Sequence, residues 1–82
     1  MSTLRTWRRH HAGEIIAEVK PVEGIGTWEA STWLVAEPSK VERAPRSFSM
    51  LTEAQSVADA LATTAYDHQC VPTCGKWLAR AR

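Results

Sequence analysis

The stretch GEIIAEVK, residues 13 to 20, is the part of the chain on which the fold turns. Ile15, Ala17 and Val19 alternate with Ile16, Glu18 and Lys20. One set is wholly apolar and the other mostly polar. A period of two marks a half-buried antiparallel strand, expected over residues 14–20, with Gly13 before it and Pro21 ending it. The loop PVEGIGT, with two glycines and a proline, leads into TWEASTWLVAE, residues 27–37. Its Thr, Trp and Val side chains suit a pleated surface, so it reads as a second strand and hairpin partner. Its two parities disagree about which face is buried. A bulge near Ser31 is expected, bringing Trp28 and Trp33 to one side.

Outward from this hairpin the signals are uneven. Residues 1–11, with Leu4 and Trp7 as their large apolar groups, read as a basic arm or an edge strand. Pro38 ends the second strand. The charged segment after it holds either a loop or a short third strand near residues 41–44, confined to an edge by Pro45. Phe48 is placed to plug the junction between sheet and helix.

The helix is expected over residues 52–67. TEAQ, Thr52 to Gln55, matches a capping box. Ala54, Val57, Ala58, Leu61 and Ala65 form one apolar stripe behind it. Pro72 forbids continuation. Cys74, Trp77, Leu78 and Ala81 then fall at i, i+3, i+4 and i+7, which predicts a short second helix over residues 73–81. The expected fold is α+β: one domain spanning residues 1–82, an antiparallel sheet of two or three strands, and both helices on one face.

Eighty-two residues bury a thin core, about 60–65% of the unfolded surface. Four tryptophans, Trp7, Trp28, Trp33 and Trp77, are expected to anchor it. Net charge is +1, but its distribution is uneven. Arg5, Arg8, Arg9, His10 and His11 precede the first acid, and Lys76, Arg80 and Arg82 follow the last. Where the ends meet, a basic patch forms on an acidic body. No apolar run approaches the roughly 20 residues that span a bilayer, and no secretory signal follows the N-terminal arginines. A cytoplasmic protein with reduced thiols is expected.

HQCVPTCGKW, residues 68 to 77, holds both cysteines. Three readings compete for it. Cys74 is a small hydrophobe on an apolar stripe, with Cys70 in a turn and His68 capping a helix. Alternatively His68, Cys70 and Cys74 hold zinc or copper(I), with His10 or His11 as a remote fourth ligand. The spacing lacks the usual paired C-x2-C knuckles. The third reading is a C-x3-C redox pair, without the βαβ context such motifs favour.

Nothing assembles a nucleophile with its base, paired carboxylates or a phosphate cradle; GIG at 24–26 precedes a strand, not a helix. The expected role is therefore non-enzymatic. A thin core and open sheet edges point to an accessory or interaction module, most simply a homodimer formed by strand pairing or exchange of the C-terminal helix. Two alternatives stand beside it. One is metal binding through the cysteine segment. The other is weak nucleic-acid binding, with Arg5, Arg8 and Arg9 on phosphates and Trp7 stacked on a base.

Overall fold

The computed structural model describes residues 5–22, 24–67 and 74–80. Strands β1 (Trp7–His11), β2 (Ile15–Val22), β3 (Thr27–Leu34) and β4 (Glu37–Arg43) form an antiparallel meander. Helix α1 (Leu51–Tyr66) follows, and β5 (Leu78–Ala79) returns to the sheet. The strand order is β4-β3-β2-β1-β5, so β2 lies in the middle. The α+β class stands, but the expected two or three strands become five, with one helix among the described residues.

The hairpins follow from their turns. The β1–β2 connection is the three residues Ala12 to Glu14, since His11 pairs with Ile15, and Ala12 and Gly13 both take positive φ within it, the left-handed conformation that suits the right-handed twist of the flanking strands. The Glu14 N–H donates to the His11 carbonyl across it (3.1 Å). Segment 7–11 is thereby a full strand, fulfilling the edge-strand reading in part: its outer side is taken by the tail.

Pro21 lies inside β2 instead of ending it. Its partner Trp28 directs both N–H and C=O to Phe48, away from β2. Pro21 is thus in a non-hydrogen-bonded pair with β3, and its missing N–H faces the side where pairing with β1 has stopped at Val19. Pro38 is tolerated because β4 is the sheet edge.

The expected bulge near Ser31 is absent from the β2–β3 ladder, whose register is continuous from Ile15↔Leu34 to Val22↔Thr27. The irregularity lies between β3 and β4, at Thr32/Leu34. Trp28 and Trp33 therefore keep opposite parity and opposite faces. Trp28 joins Trp7 and Trp77 on the helix side; Trp33 lies on the other.

Helix α1 covers one face. Ala54, Ala58 and Ala62 are fully buried, and their small side chains let the axis lie close to the sheet. Ala54 and Ala58 share a core cluster with Ala17, Val19, Trp28, Ala30 and Phe48. Ala65, expected in the stripe, is exposed, because the contact ridge follows i, i+4, i+8 from Ala54 to Ala62. The capping box does not form. Met50 occupies the N-cap without a side-chain bond, and the helix begins at Leu51, which leaves Thr52 inside the first turn. Burial decides the entry: Phe48 bridges to Trp28, and Leu51 packs on the core, which outweighs about 1 kcal/mol of capping.

The second helix is not observed in residues 74–80, which are extended. A helix of nine residues containing Gly75 is marginal alone. The outer edge of β1 offers hydrogen bonds instead: Gly75 N–H to the His10 carbonyl and Arg80 N–H to the Thr6 carbonyl, both 2.8 Å. Trp77 then turns toward the core and Leu78 away from it, a period of two. Among the described residues no helix is long and apolar enough to cross a membrane.

Candidate functional site

A helix on one face leaves the other face of the sheet uncovered. Alternation and register place its side chains. The central row runs Arg43, Ser31, Glu18, Arg8 and Leu78 across all five strands. Lys20 and Glu29 oppose one another on one side of that row, and Ile16 and Trp33 on the other.

Glu18 stands at the centre and is only 2% exposed. A carboxylate buried there needs partners, because taking an ion out of water costs several kcal/mol. The Arg8 Nε donates to its Oε2 (2.5 Å), and Lys20 Nζ lies 3.6 Å from Oε1. The Arg8 guanidinium also lies over the Trp33 ring, 5.2 Å from its centroid. Glu18 thus fixes Arg8, and Trp33 carries it. Around them opens a cleft of about 390 Å³, with Trp33, Pro38 and Val41 as apolar walls and Ser31, Lys20, Glu29 and Arg43 as polar ones. A second cleft of about 240 Å³ adjoins it, sharing Glu29 and Arg43 and reaching Arg46 and Ser47. The first has the size of a small-ligand or side-chain pocket.

The helix side holds a different cluster. Asp59 of α1 accepts from Arg9 Nη1 (3.0 Å), His11 Nε2 (2.9 Å) and Trp77 Nε1 (3.4 Å). A carboxylate only accepts, so Nε2 carries the His11 hydrogen. Arg9 Nε also donates to the Gly75 carbonyl (2.7 Å). One acid thereby ties helix, first strand and tail together. Its role is closure of the fold.

The residues singled out in the sequence are divided by the structure. Arg8 lies on the uncovered face. Trp7 and Arg9 lie on the helix side, Trp7 against the core and Arg9 on Asp59, while Arg5 is exposed ahead of β1. No single surface presents all four. The basic ends do meet, since β5 pairs with β1.

Of the metal candidates, His68 and Cys70 lie outside the described residues. Cys74 is half-buried, and His10 is exposed on β1 with its carbonyl bonded to Gly75, so residues 74–75 lie beside the β1 histidines. Among the described residues no group of three or more His, Cys, Asp or Glu is arranged to hold a metal.

Sequence reading missed Glu18, Lys20, Glu29, Ser31, Trp33 and Arg43 as a site. The signal available was the polar parity of β2. Without register it does not show what stands opposite.

Known protein families, curated proteins and solved structures contain no match to the chain. The assignment of a role therefore rests on the geometry of the face.

Proposed function

We propose that the protein is a non-enzymatic interaction module whose working surface is the uncovered face of the sheet, and that its partner is a protein. The observation that carries this is the central buried Glu18, which holds Arg8 over Trp33 beside an open cleft. A buried ion pair on an otherwise open face is costly to maintain for stability alone. It supplies a rigid, partly apolar platform with charged rims, the composition of a docking surface. The sheet edges are less suited to docking. The β4 edge carries Pro38, Lys40 and Glu42, and β5 is two residues long, both features that discourage strand addition.

Site-specific photo-cross-linking in cells tests the reading. A benzophenone side chain at Val41, on the cleft wall, is expected to give protein adducts. The same group at exposed Thr63 on the helix is expected to give none. Equal yields from the two positions, or none from Val41, would remove the face from consideration.

A second reading has one observation behind it. Pairing of β5 with β1 brings Lys76 and Arg80 beside the segment that carries Arg5 and Arg8, at one edge of the sheet, where a nucleic-acid backbone would find cations. Filter binding at low salt tests it, because the electrostatic part of affinity is greatest there. Retention indistinguishable from a neutral control protein would end this reading.

A further inference from the structure

We propose that the occupant of the uncovered face is a second copy of the chain, docked face to face about a two-fold axis so that Glu29 of each copy meets Arg43 of the other. This rests on the reading of that face as a docking surface and adds the identity of the partner.

Two charges on this face stand outside its ion pairs. On this face Arg8 is satisfied by Glu18, and Lys20 lies near the same carboxylate. Glu29 faces Lys20 across the β2–β3 ladder without reaching ion-pair distance, Arg43 likewise makes no ion pair among the described residues, and both are exposed. They stand on adjacent strands and line the same two clefts. A carboxylate and a guanidinium on adjacent strands, neither held in an ion pair, make a self-complementary pattern. A two-fold axis pairs each with its opposite number twice, as an interface of identical patches requires. A continuous polyanion fits less well, since Glu29 would stand against its phosphates. Trp33, Val41 and Pro38 give the contact its apolar part.

The size of the face sets the strength. Five strands about 4.8 Å apart and some five residues long offer roughly 400–600 Å² per copy. That lies at or below the low end of specific interfaces, so association is expected to be weak and concentration-dependent.

Sedimentation equilibrium from about 10 to about 500 μM, the range matching so small an interface, supplies the test. The wild type is expected to pass from 9.1 kDa toward twice that mass. Glu29→Arg and Arg43→Glu each place like charges opposite one another, and each is expected to weaken association at least about tenfold. Both positions are exposed, so the fold is expected to survive, with circular dichroism as the control. Mixing the two single variants restores both cross-pairs and is expected to recover a heterodimer of wild-type affinity. A wild type that stays at 9.1 kDa throughout overturns the proposal, as do single variants that associate normally or a mixture that fails to recover. A monomeric wild type that still cross-links other proteins from Val41 sinks the self-association alone and leaves the surface reading intact.

Discussion

Replacing Asp59 by alanine should detach the tail of the sheet as well as loosen the helix. Asp59 accepts two charge-assisted hydrogen bonds of ordinary length, from Arg9 (3.0 Å) and His11 (2.9 Å), and a longer one from Trp77 (3.4 Å). Hydrogen bonds to charged groups contribute about 1.5–3 kcal/mol each. The Asp59 side chain is 26% exposed, so screening puts both bonds at the low end. The His11 side chain is 1% exposed, and losing this acceptor cannot be made good by water without opening the junction. The sum is about 3 kcal/mol. For a domain of this size that lowers Tm by about 12–24 °C. Asp59→Asn keeps one acceptor oxygen but turns an NH2 group toward a donor, so about half the loss is expected. Urea unfolding followed by circular dichroism gives the global value. Amide exchange at Gly75 and Arg80, whose N–H groups bond to β1, reports the tail separately. An alanine variant within about 1 kcal/mol of wild type, with those two amides still protected, would refute the assignment of Asp59 as the junction.

Three further outcomes follow from other sites. Glu18→Gln keeps the shape but removes the negative charge beneath Arg8 and Lys20. A loss of about 1–2 kcal/mol in urea unfolding is expected, and no measurable change would mean the pair has no energetic role. Ala58→Leu forces a large side chain between α1 and the sheet where none of the residue is exposed; a cost of about 1–3 kcal/mol is expected, and tolerance would place the helix farther from the sheet than described. The Tyr66 phenol is held above its ordinary value of 10.0, first by burial and then by the carboxylates of Glu42 and Glu37. The folded chain therefore keeps a proton that the unfolded chain releases, so stability is present below pH 10 and falls as pH rises beyond it. Tyr66→Phe should flatten that decline in a pH series of melting curves, and an unchanged slope would assign it elsewhere.

The legible parts of the sequence were those set by short-range periodicity. The two-period of residues 14–20 and the three-to-four period of the later segment each found their element, because one buried face imposes the same repeat along the whole element. The tail shows the limit. Cys74, Trp77 and Leu78 fit a helical stripe, yet Trp77 and Leu78 also fit opposite faces of a strand, and so short a segment satisfies both periods. The vacant edge of β1 decided between them. The same holds for the two tryptophans of β3, whose separation onto opposite faces followed from an unbroken ladder with β2. On the proposed surface, Glu18 looked like one polar residue of an amphipathic strand. Its partner Arg8 is set beside it only by the register of β1 with β2.

By itself, the order of residues determined the class of the protein, α+β, and the faces its central strand and helix would hide. Those depend on repeats within a single element, which local sterics and burial of apolar groups enforce. The tertiary structure alone decided the number of strands, the return of the tail beside the first of them, and the face left bare. Those depend on which unpaired backbone edge and which distant charge a segment meets, and that meeting is a property of the whole chain folded at once.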